Sequence, residues 1–190
     1  YTTHHSNDRV HLQVWYKDGE FHREGNPAVT EYYEDGQVKF QRWFKDGSSH
    51  REDQPADVMY RKDGKLWHQG WYKDGKRHRE DGPAIIEYYE DGSVWFERWW
   101  KDGRCHREDE PAYIEYDEAG QVKCKKWYEY GRPHREDGPA VIEYDQNGQI
   151  ESEEYYVNGE MQKRHVCSKQ DTLDQQIIEI QGRKYKLVLI

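Results

Sequence analysis

The residues with the most chemistry in this 190-residue chain sit in one short string, His78-Arg79-Glu80-Asp81-Gly82-Pro83-Ala84, which places an imidazole, a guanidinium and two carboxylates in four consecutive positions. Read alone, it offers a general acid and base, a metal ligand set or an anion cradle. The string recurs, however. His22, His50, His78, His106 and His134 each open a His-Arg-Glu triplet, so Arg23, Arg51, Arg79, Arg107 and Arg135 recur with them. A catalytic acid-base pair needs one tuned environment, whereas five copies of a group suit a repeated architectural part. Two of the histidines could share a metal only with both nitrogens within about 2.1 Å of the ion. Units that advance by two strands hold equivalent residues roughly 9.6 Å apart. Cys105 and His106 are adjacent, and adjacent side chains on a strand point to opposite faces, so they form no nucleophile-base pair. Catalytic, metal and cofactor sites are therefore not expected. Each Arg is expected to bridge to a Glu or Asp of its own or the next corner, with a row of arginines facing an anionic ligand as the alternative.

The elements that position these groups follow from the spacing. Gly19, Gly47, Gly75, Gly103, Gly131 and Gly159 step by 28 residues, and Gly36, Gly64, Gly92, Gly120 and Gly148 keep the same step. Trp15, Trp43, Trp71, Trp99 and Trp127 recur in phase, giving five units from 15–42 to 127–154 and a partial sixth beginning at Tyr155. Each unit carries two turns, such as Lys73-Asp74-Gly75 and Glu90-Asp91-Gly92, flanked by alternating Tyr, Trp, Val and Ile, the pattern of β-hairpins. With Glu-Asp-Gly as a three-residue loop, Tyr32 faces Val38, and the same holds for Tyr60 and Leu66, Tyr88 and Val94, Tyr116 and Val122, and Tyr144 and Ile150. One face is then consistently apolar. The same register sets Thr30 against Phe40, Glu31 against Lys39, Met59 against Trp67 and Glu115 against Lys123. It leaves Trp43 with the wrong parity for the apolar face. Either a bulge shifts the ring, or it lies on the opposite face beneath the folded-back corner; the second is preferred. The predicted fold is all-β: an elongated antiparallel meander of five 28-residue repeats (15–164), with an N-terminal partial repeat (1–14) and a C-terminal linker and capping hairpin (165–190) whose Gln-Gly turn lies at 181–182.

Composition narrows the function classes. Eight Trp and 16 Tyr supply a thin ladder of buried rings in a chain otherwise poor in aliphatic residues. The formal net charge of -9 disfavours a nucleic-acid backbone as partner. Cys105, Cys124 and Cys167 are odd in number and irregularly spaced, which points to a reducing, intracellular setting rather than a disulfide framework. No apolar run approaches the roughly 20 residues of a membrane span, and no secretory leader is evident.

The stretch from Tyr72 to Gly103, with its Tyr and Trp, its Asp-Gly turns and its His-Arg-Glu-Asp-Gly-Pro-Ala element, is similar to MORN repeats. It resembles more closely the variant MORN-type arrays of large DNA viruses and bacteriophages that carry His-Arg-x-Asp-Gly-Pro-Ala. The likeness covers about 15–164. It implies a non-enzymatic scaffold that presents an elongated sheet to a partner protein or a membrane surface, in a host cytoplasm or a virion.

Function is sought where the repeats differ, because a column filled identically in every unit is explained by the unit itself. The column Lys39, Trp67, Trp95, Lys123, Glu151 varies, as does Tyr33, Arg61, Tyr89, Asp117, Asp145. Met59, Arg61, Trp67, Tyr89, Trp95, Trp100 and Tyr113 concentrate aromatic and Arg character in units 2–4, the composition of a protein-binding hot spot. A protein partner on that strip is the leading expectation. The alternatives are a counter-defence or antitoxin-like inhibitor that captures a host enzyme or a small nucleotide, and an adaptor on an anionic membrane surface.

Overall fold

The computed structural model describes residues 1–167 and the backbone of two short strands, Ile177–Ile180 and Arg183–Lys186. Thirteen strands, from Thr2–His4 to Glu160–Val166, pair in chain order as one antiparallel meander, with no helix among the described residues. At about 4.8 Å per strand the sheet runs roughly 60 Å from edge to edge.

Units 3 and 4 show the plan. Strand Ile85–Tyr88 turns through Glu90-Asp91-Gly92 into Val94–Arg98; a two-residue hairpin follows, Trp100–Lys101 against Arg104–Cys105, and the corner then leads into Tyr113–Tyr116. The two turns are different devices. In the first, Tyr89 N–H donates to Ser93 O at 2.9 Å and Gly92 N–H to Tyr89 O at 3.1 Å. Gly92 takes φ +95°, which closes the expected three-residue loop. In the second, Asp102 and Gly103 both have positive φ, 49° and 81°, the mark of a type I′ turn whose twist matches its flanking strands. The thirteen-stranded sheet therefore has two long rims, one of three-residue turns and one of small hairpins and corners.

The five Tyr-to-aliphatic pairs form in the expected register, from Tyr32 with Val38 to Tyr144 with Ile150. One residue further along, every hairpin slips: Glu31 pairs with Phe40, Met59 with His68 and Glu115 with Cys124, while Thr30 pairs with Gln41. Lys39, Trp67, Trp95, Lys123 and Glu151 are thus the extra residues of five β-bulges, which correct the simple alternation expected from the sequence. A bulge sharpens the local twist and turns two successive side chains toward one side. Lys39 accordingly still reaches Glu31, at 2.6 Å.

The bulge also resolves the Trp parity. Counted through the extra residue, Trp43 shares the face of Tyr32 and Val38, so its expected place on the opposite face is corrected, while the corner does fold over the ring. Trp43 continues the ladder by donating from its N–H to Ala56 O at 2.8 Å, and Ala28, Ala56, Ala84, Ala112 and Ala140 are all 0% exposed beneath the corners. The other face has its own thin core, Tyr113, Cys124 and Val141, against which Phe96 and the small-hairpin rings Tyr128 and Tyr156 pack. Two shallow layers, one on each side of the sheet, replace a single thick core.

The ends depart from the unit. Thr2–His4 pairs outside Val10–Val14 and forms one edge. At the other, Ile150–Val157 runs unbroken for eight residues into the last hairpin, where the sixth unit loses its corner. Ile177–Ile180 and Arg183–Lys186 pair with each other as a separate two-stranded sheet. The predicted linker at 168–176, the Gln-Gly turn and the side chains of the proposed cap lie outside the described residues.

Candidate interaction surface

Along the corner rim, every His-Arg pair does the same work. The guanidinium carbon of Arg23 lies 3.8 Å from the Trp15 ring centre, and Arg51, Arg79, Arg107 and Arg135 stack on Trp43, Trp71, Trp99 and Trp127 at 3.9–4.2 Å. Each Arg also donates from Nη1 to the carbonyl of the Pro four residues on, at 3.2–3.4 Å. The carboxylate bridge expected for every Arg forms in three of the five corners, at Arg79–Asp81, Arg107–Glu110 and Arg135–Asp137. A planar cation on an indole face gains from stacking without depending on an exposed acid; that contact is the constant one.

The histidines join units. His22, His50, His78, His106 and His134 each accept at Nδ1 from the backbone N–H that opens the next unit's small turn, at Asp46, Asp74, Asp102, Tyr130 and Asn158. The Gly that follows donates to the carbonyl of the residue before the His, as Gly103 does to Arg77 O at 2.9 Å. Each turn thus plugs into the preceding corner with two hydrogen bonds.

The turn rim has separate ties. Tyr33 OH donates to Tyr60 O and Tyr89 OH to Tyr116 O, both at 2.8 Å, and Arg61 Nη2 donates to Tyr88 O at 2.6 Å. Asp117 instead accepts from the amides of Ala119 and Gln121 in its own turn. Arg61 and Tyr89, chosen from the sequence as partner-binding candidates, therefore also brace neighbouring units. Burial raises the Tyr89 phenol above its ordinary pKa, with Lys123 opposing the rise and Glu115, Glu118 and Asp117 adding to it, so it stays a donor at neutral pH.

The variable residues separate into four places. Arg61, Tyr89 and Trp95 line one open groove of about 520 Å³ on the turn rim, with Tyr88, Glu90, Asp91 and Glu118. Trp67 adjoins it, its ring centre 6.0 Å from the Arg61 guanidinium. Trp95 is 39% exposed and its ring centre lies 6.1 Å from that of Tyr89. Met59 sits in mid-strand between Phe40 and His68, half-buried and outside the groove. Trp100 belongs to a small hairpin near the opposite rim, paired with Cys105 and close to Arg77. Tyr113 is 9% exposed in the core, its OH donating to Glu115 at 2.8 Å, and so cannot belong to an exposed strip. Its column reads Val29, Asp57, Ile85, Tyr113, Val141, which is the column of a buried position. The acidic wall of the groove was missed because Glu90 and Glu118 occupy a turn column, Glu34, Lys62, Glu90, Glu118, Gln146, whose neighbours are set by the next unit's register.

Chemistry at the two buried thiols is suppressed. Burial pushes Cys105 up to about 12 and Cys124 up to about 11, holding both as neutral thiols. Among the described residues, no group of three or more His, Cys, Asp or Glu side chains could hold a metal ion, and no helix is long and apolar enough to cross a membrane.

Residues 28–46 and 140–158 match the family model of the MORN repeat variant, and no curated protein matches the chain. The matched segments begin at Ala28 and Ala140, in the same phase of the unit, and each covers strand, three-residue turn, bulged strand, the aromatic position filled by Trp43 in one and Tyr155 in the other, and the start of the small hairpin. The units between them repeat those elements without a slip. The chain is thus an all-β array of 28-residue repeats, two segments of which are similar to the MORN repeat variant.

Proposed function

We propose that this array is a non-enzymatic binding module that holds a partner protein on the turn rim of units 2–4, with Arg61, Trp67, Tyr89 and Trp95 at the centre. The observation that supports this reading is the bulge column. A bulge side chain stands out from the ladder, and the chain places Lys39, Lys123 and Glu151 there in three units but Trp67 and Trp95 in two. Indole rings at positions that elsewhere carry charge, gathered around an Arg, have the composition of a binding hot spot. The corner rim is a poorer candidate. Its grooves, such as the 640 Å³ one lined by Arg51, Trp71 and Arg79, have the indole face already covered by a guanidinium, which occupies the ring a nucleotide base would stack on. An anionic membrane is disfavoured by the net charge of -9. From the likeness of the corner string to viral and phage arrays, we place the module inside a host cell or a virion as a scaffold.

The test is affinity capture from the native source with wild-type chain, a Trp67→Ala/Trp95→Ala variant and a Lys39→Ala/Lys123→Ala control at equivalent positions. Loss of the partner in the first variant alone supports the reading. Equal recovery from all three refutes it.

A further inference from the structure

The groove around Trp95 has a copy in the first two units whose occupant is visible. There the Lys62 ammonium lies over the ring of Tyr33, 6.0 Å from its centre, in a groove that also holds Glu31 and Lys39. Tyr89 occupies the column of Tyr33, and the residue in the column of Lys62 is Glu118. The third-unit groove thus keeps the ring and replaces the lysine that covers it with a carboxylate. Its bulge position changes in the same sense, from Lys39 to Trp95. Two internal cations are gone, and a second ring face and an acid stand in their place.

The electrostatics of the groove follow. Among the residues lining the groove, Glu90, Asp91 and Glu118 are matched by one cation, Arg61, which is held by its bond to the Tyr88 carbonyl, while Lys65 lies beside Asp91 at the groove's edge. Glu90 and Glu118 are exposed, and among the described residues neither carboxylate has a hydrogen bond or an ion pair. Asp91 is turned toward Ser93, and nearby Lys65 donates to the Glu90 carbonyl rather than to its carboxylate. Lys123, the next cation along the rim, is paired with Glu115 at 3.4 Å. Trp95 and Tyr89 meet at 43°, so their electron-rich faces form an angled pair bordered by unpaired anions. A cation set over aromatic faces is attracted by the ring quadrupole, and nearby carboxylates strengthen that preference.

We infer that this groove takes a lysine side chain of a basic peptide segment, which occupies over Tyr89 and Trp95 the place that the chain's own Lys62 occupies over Tyr33. The inference rests on the partner-binding reading above and gives the partner its chemistry: a lysine-bearing segment rather than an acidic or apolar one.

The experiment titrates the full chain with acetylated, amidated decalysine and, separately, decaglutamate. It follows the indole N–H resonance of Trp95 by NMR, assigned with Trp95→Phe. Decalysine is expected to shift that resonance to saturation and decaglutamate to leave it in place. Glu90→Gln/Glu118→Gln should weaken decalysine at least tenfold. The control Glu24→Gln/Glu52→Gln removes the same charge from the exposed corner rim and should weaken it less than threefold. Glu118→Lys restores the internal cation, so it should move the Trp95 resonance without peptide and block decalysine. All four glutamates are exposed, and far-UV circular dichroism checks the fold of each variant. Equal weakening by both Gln pairs would mean general attraction to an acidic chain, and would overturn the inference. A shift by decaglutamate, or decalysine shifts confined to other indoles, would overturn it too. The two readings fail separately: loss of partner capture in Trp67→Ala/Trp95→Ala without decalysine binding sinks only the lysine chemistry, and decalysine binding with capture unchanged sinks the partner site.

Discussion

Replacing His78 tests whether the corners hold the array together through the imidazole acceptor. His78 Nδ1 accepts from Asp102 N–H at 3.2 Å, across the junction of units 3 and 4, while Nε2 lies 2.8 Å from Glu80 Oε1 and the side chain is 9% exposed. His78→Ala removes a nearly buried ring, at a cost of about 1–2 kcal/mol for lost packing at a rim that can partly close. It also strips the Asp102 amide of its acceptor; because that turn is solvated, the low end of the usual penalty applies, about 1 kcal/mol. The sum is about 2–3 kcal/mol. His78→Asn separates the two contributions, since the Asn Oδ1 stands the same number of bonds from Cβ as the imidazole Nδ1 and can accept the same N–H. The Asn variant should recover about 1 kcal/mol relative to Ala. Urea unfolding gives the stabilities, and amide hydrogen exchange at Asp102 reports the junction directly, with protection lost in the Ala variant and largely kept with Asn. If Asn and Ala are equally unstable, or if Asp102 stays protected with Ala, the imidazole acceptor is not what joins the units.

Arg79→Lys should cost about 1 kcal/mol, because an ammonium cannot lie flat on Trp71 and hold the Pro83 carbonyl together; an unchanged urea midpoint would show that the stacking contributes nothing. Gly103→Ala, at φ +81° where the added Cβ meets only the Lys76 side chain at 3.6 Å, should cost about 1 kcal/mol from backbone strain alone and lower the melting temperature. Below about pH 9, Cys105 and Cys124 should resist thiol reagents until the chain is unfolded. Above it the unfolded thiols lose protons that the folded ones keep up to about 12 and 11. Stability should therefore fall as pH rises through that window, and Cys105→Ala should reduce the slope of urea midpoint against pH.

The fold was legible because turn chemistry and repetition act locally. Asp-Gly specifies a I′ turn wherever it stands between strands, and Tyr32 opposite Val38 could be paired on paper. The bulge was not legible: Lys39 and Trp67 look like ordinary strand residues, and only the hydrogen-bonded ladder shows two residues opposing one. The same slip hid the true face of Trp43. At the site, Trp67, Trp95, Arg61 and Tyr89 could be found because they break their columns. Tyr113 misled because an aromatic residue in a variable column fits a core as well as it fits a surface. Glu118 carries its meaning only through the register that brings it over the ring of the preceding unit, as Lys62 lies over Tyr33. That is a relation between positions 29 residues apart, which no local pattern encodes.

The ties at the corner and turn rims reach one unit and stop. His78 meets Asp102, Arg61 meets Tyr88, and among the described residues no side-chain hydrogen bond or ion pair of these columns spans two junctions. Copying or deleting a whole unit therefore leaves every remaining junction with its complement, so copy number can change without redesign of the parts. A change of one or two residues within a unit would instead leave an Asp-Gly turn facing a corner that no longer receives it. Genetic drift in such a chain is quantised: its length can wander in steps of one repeat while its rhythm stays fixed, and a recognition surface such as that around Trp95 can be shifted along the array simply by adding units before it.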